Sequence, residues 1–449
     1  MPESAVDRLA VALARLEETE PLVHAYVHVD RAGAVAAARL LDDGEVSGSL
    51  AGQPFAVKEV ISVAGLPAAG GSRAFAAHVA DFDATVVERL RRAGAVLLGT
   101  QVSHELTCGL DEPPTRNPWA LDGYPGGSSA GGGASVAVGS AAFTLGTDAA
   151  GSVRIPAAMT GVVGLKPSAG LVSNHGIVRH ATAPSIDNVG IFARSTTEVS
   201  EVLEVIAGAD PADAATCWGS GDAGVAAAAG VPGSLDGRRL GTLGDSTRAA
   251  LDARTPPESD VWDAFESACD VFGRLGAVLV PVEIPAFEAA PDAISTFFAT
   301  ELVAAHRHLL EGRAAGYHPG VLEMLVGALS IPVSQVAEAV EFRGGLRGEV
   351  LGAFADARLD ALVTPTTPRV AMPLASFDPA TELGTLIPYT CPFNLTGQPA
   401  VSVPCGFSAS GLPIGLQFVG APFEDSAVLA VAAAYESATR WYEHQPEVP

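Results

Sequence analysis

Lysine is almost missing from this chain. Of its 26 basic residues only two are Lys, Lys58 and Lys166, and all the others are Arg. Arg keeps its proton in proteins, whereas Lys can lose one and act as a base. A Lys at the end of the strand-like run Pro54-Phe55-Ala56-Val57 invites that reading, although a genome that favours Arg codons would leave the same trace. Positive charge is scarce altogether: 51 acidic side chains outweigh the basic ones, for a formal net charge of −25. A surface of that sign repels phosphate backbones and argues against a nucleic-acid partner. The five cysteines (Cys108, Cys217, Cys269, Cys391, Cys405) are scattered and form no C-x-x-C pair. That favours reduced thiols in a cytoplasm over a disulfide framework or a metal site. Near the motifs discussed below, the longest apolar stretch, Ala134 to Gly146, is too short to cross a bilayer as a helix. The opening Met1-Pro2-Glu3-Ser4 has neither the basic nor the apolar region of a secretion signal. The expectation is a cytoplasmic protein without a membrane partner.

What is present is ample apolar material, 48% of the chain, enough for a sizeable core. Apolar spacing predicts helices over 5–17, with Pro21 following, and over 31–41. Leu22 to Val29 reads as extended, and 54–57 as a buried strand ending at Lys58. A loop over 65–72, a helix over 83–94 and the strand 95–99 follow, an alternation that indicates α/β architecture. The segment 117–170 is dense in Gly, Ser and Ala, as a flexible linker is. It also carries Val136, Val138, Phe143, Leu145, Ile155, Val162, Val163 and Leu165, which a linker does not need. Small residues that let backbones approach closely around a site explain both features. Residues 208–236 read as an exposed connection. Strands are expected at 239–243, 277–281, 361–365, 400–404 and 414–419, mostly helix over 288–357, and a last helix over 425–440.

Several chemistries compete for the motifs. Gly127-Ser128-Ser129-Ala130-Gly131 matches the nucleophile elbow G-x-S-x-G at Ser129, but that motif needs a strand running into the turn. The preceding Pro118 to Gly126 is rich in Pro and Gly, and His175 and His180 have no clear acidic partner. The Gly-rich run 126–133 lacks the Gly-Lys-Ser/Thr of a phosphate loop. His104-Glu105-Leu106-Thr107-Cys108 starts like a zinc helix but has Cys where the second His belongs.

A fourth reading accounts for more of the chain. Gly126-Gly127-Ser128-Ser129-Ala130-Gly131-Gly132, then Gly146 through Ala158 with Asp148-Ala149-Ala150-Gly151-Ser152 inside it, then Gly161-Val162-Val163-Gly164-Leu165-Lys166-Pro167, resemble the amidase signature family. Ala56-Val57-Lys58 matches the family's lysine motif, and the spacing from Ser128 to Ser152 equals the family's. The resemblance extends to 83–90, 114–119, Pro392-Phe393-Asn394 and 397–400. Departures are Glu59, where Asp is usual, and the loop Asp148-Ala149-Ala150-Gly151, where many members have two Gly before the Ser.

The resemblance implies an α/β/α layered fold around a large mixed sheet, forming one catalytic domain over 1–449. Its core signature would span about 54–200, with a variable helical region over about 288–357. It implies a Ser–Ser–Lys triad of Ser152 as nucleophile, Ser128 as relay after a cis peptide from Gly127, and Lys58 as base. Backbone N–H groups of Ala149, Ala150, Gly151 and Ser152 would meet the oxyanion. Ser129, Asp148 and Arg154 would hold the loop, Lys166 would be structural, and His104 and Cys108 would line the acyl pocket. Phe297, Phe298, Leu302, Leu322 and Leu325 would shape the leaving-group side. No cofactor or metal is implied. The expected reaction is hydrolysis of an aryl or alkyl amide, or of a carbamate (urethane) or ester, by a homodimer. The alternatives are an amidotransferase-type subunit that releases ammonia for a partner enzyme, and a catalytically dead binding protein of the same fold.

Overall fold

The structure is a computed structural model that describes residues 4–217 and 233–448. Eleven strands form one sheet: β1 (Tyr26–Val29), β2 (Pro54–Lys58), β3 (Val96–Gln101), β4 (Phe143–Asp148), β5 (Val163–Lys166), β6 (Asn188–Ala193), β7 (Arg239–Leu243), β8 (Val278–Val282), β9 (Ala361–Pro365), β10 (Ala400–Phe407) and β11 (Pro413–Val419). Their order across the sheet is β1-β3-β2-β4-β6-β5-β10-β11-β9-β7-β8. The β3-β2-β4 and β9-β7-β8 groups pair in parallel, and the strands between them run antiparallel. β2 to β6 are buried along their whole length. This explains why they read as continuous apolar runs rather than alternating ones.

The apolar spacing predicted most of these elements, and the differences have local causes. The first helix runs from Ala5 to Val23, past Pro21. Pro21 sits in the last turn, where it removes a single backbone bond, and Leu9, Leu13, Leu16 and Val23 bury that helix face. His24 ends the helix in the left-handed region (φ 52), so the extended segment shrinks to β1. The Glu20 carboxylate accepts from the N–H groups of Ala25 and Tyr26 and fixes this turn. The helix expected over 83–94 is Thr85–Arg92, and the strand after it runs on to Gln101. Most of the connection expected over 208–236 lies outside the described residues.

The segment 117–170 is packed core. Every residue of the helix Ala130–Ala137 is buried. A Cβ on Gly131 would lie 2.2 Å from the carbonyl oxygen of Ala25. The stretch over 288–357 folds into the helices Ala290–His306, Pro319–Ala328 and Val333–Ala357. Among the described residues no single helix is long and apolar enough to cross a membrane. Gly131→Val is expected to lower stability by about 1–3 kcal/mol through overpacking against the Ala25 carbonyl and the end of β3, as read by urea denaturation.

Candidate active site

Lys58 ends β2, between the parallel neighbours β3 and β4, and is 1% exposed. Its Nζ lies 2.7 Å from Ser128 Oγ and 3.1 Å from Thr147 Oγ1. No carboxylate pairs with it among the described residues. Burial pulls its pKa down to about 7, against the opposing charges of Asp187, Asp148 and Glu59. Burial disfavours the ammonium form, so this amine is poised to exchange a proton near neutrality.

Ser128 follows the cis peptide from Gly127. Its carbonyl accepts from the N–H of His104. A Cβ on Gly127 would come within 2.3 Å of His104 Nε2, so only glycine fits there. Ser152 stands on the turn between β4 and the helix Arg154–Thr160. Ser128 and Ser152 line the same cavity, together with Gly127, Ala149 and Ala150. Ser129 ties the two serine loops together: its N–H donates to the Ser152 carbonyl and its Oγ to the Thr147 carbonyl. An elbow nucleophile at Ser129 is thereby excluded.

The turn that carries Ser152 is wound around Asp148. One carboxylate oxygen accepts from Gly151 N–H at 2.8 Å, and the other from Val153 and Arg154 N–H. Arg154 grips the same carboxylate through Nε and Nη2 at 3.0 and 2.8 Å. Its remaining donors reach Thr390 O, Gln417 Oε1 and Asn394 Oδ1. Arg154 therefore has all its N–H groups satisfied, as full burial demands. Burial opposes the charge on Asp148, but the Arg154 charge and these bonds outweigh it and hold the carboxyl well below the usual range. Asn394 closes the network with bonds to the carbonyl and carboxylate of Asp148.

This winding corrects the expected oxyanion set. The Gly151 N–H points into the turn, to Asp148, and is not available to a ligand. Ala149, Ala150 and Ser152 are the members that face the cavity. Gly151 instead gives room: at φ 128 a Cβ there would meet Thr390 Oγ1 at 2.4 Å, and that hydroxyl donates to Ala150 O.

The cavity measures about 190 Å³. Cys108 lines it, with its thiol pushed well above the ordinary value by burial. His104 does not. It lies behind the Gly127 turn, with Nδ1 on Asp111 and Nε2 on the Tyr124 hydroxyl. Glu105 turns the other way, to Ser72 and the His318 N–H, so the pair does not form a metal site. Of the five large residues expected on the far wall only Phe298 reaches the cavity, joined by Ile294 and Met324. Phe297 packs under Arg343, and Leu302 and Leu325 belong to the core. Leu383 and Ile387 complete the wall from a part of the sequence that gave no sign of it. Lys166, at the end of β5, is fully buried with its Nζ on Pro167 O.

The Amidase family profile matches residues 7–429. The chain belongs to the amidase signature family. It is 37% identical, over 99% of its length and 95% of the relative's, to a glutamyl-tRNA(Gln) amidotransferase subunit of Symbiobacterium thermophilum. Among solved structures it resembles the peptide amidase of Stenotrophomonas maltophilia (TM-score 0.84, 30% identity, 99% of this chain and 95% of that one). It also resembles a 6-aminohexanoate cyclic dimer hydrolase complexed with substrate (TM-score 0.87, 28% identity, 99% and 96%). In this amidase-signature chain Arg154→Met leaves Asp148 buried without its counter-charge. The expected cost is about 3–5 kcal/mol in urea denaturation. The double variant with Asp148→Asn should lose less than the two single losses summed.

Proposed function

We propose that this protein is an amidase that hydrolyses uncharged, largely apolar amides through an acyl-enzyme on Ser152. Carbamates and esters with the same acyl chemistry fall in the same class. The observation that carries this reading is the cavity beside Ser128 and Ser152: among the described residues, no Asp, Glu, Lys, Arg or His lines it. A free glutamine brings an ammonium and a carboxylate, and burying either without a partner is costly. The amidotransferase reading, which the sequence relatives favour, requires a site for such an amino acid. The walls formed by Ile155, Ile294, Phe298, Met324, Leu383 and Ile387 suit an alkyl or aryl group instead.

The reaction follows from the residue chemistry. A Ser hydroxyl needs a base within reach to become a nucleophile. The neutral Lys58 amine takes the Ser128 proton across the 2.7 Å contact, and Ser128 takes the proton of Ser152 as its oxygen attacks the carbonyl carbon. N–H groups of Ala149, Ala150 and Ser152 stabilise the oxyanion, a contribution typically worth on the order of a hundredfold or more per donor. The proton returns by the same route to the leaving nitrogen, and water then releases the acyl group.

Ser152→Ala is expected to abolish turnover, and Lys58→Ala to reduce it by about a thousandfold or more at neutral pH. With the Lys58 pKa lowered to about 7, the amine is neutral above that pH. Thus kcat/KM should rise as pH increases through about 7 and then level off. A panel of anilides, aliphatic amides, carbamates and glutamine tests the substrate class. Hydrolysis of the apolar amides with glutamine left intact supports the reading, and a preference for glutamine contradicts it.

A further inference from the structure

Asp187 is a buried carboxyl to which neither the fold nor the chemistry above gives a task. It is 3% exposed and stands just before β6, whose first residue, Asn188, is paired with Asp148 at the end of β4. Lys58 ends β2 on the other side of β4. Three adjacent strand ends thus bring together Lys58, the Thr147 and Asp148 pair, and Asp187. The Asp187 backbone is pinned on both sides: its N–H donates to Ala183 O, and its carbonyl accepts from Asn174 Nδ2. One carboxyl oxygen accepts from the Thr182 hydroxyl at 3.0 Å. The other is buried with no hydrogen-bond partner among the described residues. Buried carboxyl oxygens are nearly always bonded, and an exception calls for a reason.

We propose that Asp187 is a positioning residue of the proton relay, acting across β4 on the charge state of the Lys58 amine. The proposal rests on the reading of Lys58 as the base. The charged groups around the pair are few. Asp148 and Glu59 also act on Lys58, and Asp148 also acts on Asp187. Asp148 is neutralised by Arg154 at 2.8 Å, and Glu59 is turned to the Ser103 loop. Asp187 is the remaining carboxyl, and its charge opposes the loss of the Lys58 proton. Burial raises its own pKa to about 7, against the pull of Lys58. Burial disfavours the charge on both groups, and each charge favours the other, so the charge state of one depends on that of its neighbour.

The consequence has a definite sign. An ionised Asp187 favours the ammonium form of Lys58, so removing its charge leaves the amine neutral to lower pH and makes it a weaker base. The test reads Ser152 directly, without a substrate: the rate at which a fluorophosphonate labels it, measured from pH 5 to 9. In that reaction the Ser152 Oγ–P bond forms, fluoride leaves and the serine proton passes to the relay. In Asp187→Asn the acid limb is expected to move down by about half a unit or more, so labelling on that limb is about threefold faster than in the wild type. The plateau at high pH should be lower. Thr182→Val keeps the carboxyl but removes a bond that favours its ionised form, and should move the limb the same way by less.

A limb unmoved in both variants overturns the proposal, as does an unmoved limb in Thr182→Val should the Asn variant not fold. Wild-type labelling that is absent or indifferent to pH speaks instead against Lys58 as the base. The two failures are therefore distinguishable.

Discussion

Keeping the Lys58 amine out of water is the constraint on which the rest of this site depends. An amine in solvent is an ammonium at neutral pH and cannot accept a proton. Here the lysine ends a strand buried along its whole length, between two other buried strands. Its neighbours are two hydroxyls rather than a carboxylate. The Asp148–Arg154 pair belongs to the same design. Asp148 opposes the loss of the lysine proton, and Arg154 pairs with that carboxylate while its donors anchor the turn that carries Ser152. A single buried ion pair thus holds the loop that carries Ser152.

The glycine and alanine richness of the signature serves the same end. Segments 126–133 and 146–158 pack together at separations that larger side chains would not permit, as the space at Gly126 against Pro156 and at Gly146 against Ser129 shows. Without such close packing, water would reach the amine and the desolvation would be lost. The machinery says little about what is cut. The proteins it resembles include a peptide amidase, a 6-aminohexanoate cyclic dimer hydrolase and a glutamyl-tRNA(Gln) amidotransferase subunit. The cavity walls are built from the helices Ala290–His306 and Pro319–Ala328 and from the segment around Leu383 and Ile387.

Much of this was legible in the sequence, and the gaps follow a pattern. Lys58, Ser128 and Ser152 stand in motifs with fixed spacing, and the structure brings Lys58 against Ser128 and both serines to one cavity. The partners of Arg154 were not readable. Thr390, Asn394 and Gln417 lie more than 230 positions away along the chain, Gln417 on β11 and the other two shortly before β10. Gly151 misleads because a backbone N–H carries no trace in sequence of where it points. Here a carboxylate three residues earlier captures it. His104 misleads for a related reason: its nearness to Cys108 along the chain says nothing of the side it faces. Thr147 and Asp187 are in plain view, but an ordinary Thr and an ordinary Asp give no warning of what they approach.

The account is tested most directly by titrating the lysine itself. With only two lysines in the chain, side-chain NMR of protein carrying isotope-labelled lysine shows two signals, and a Lys58→Met variant assigns them. The Lys58 signal is predicted to titrate near pH 7. A titration near the ordinary value of about 10.4 would mean a charged lysine at neutral pH and would contradict the account.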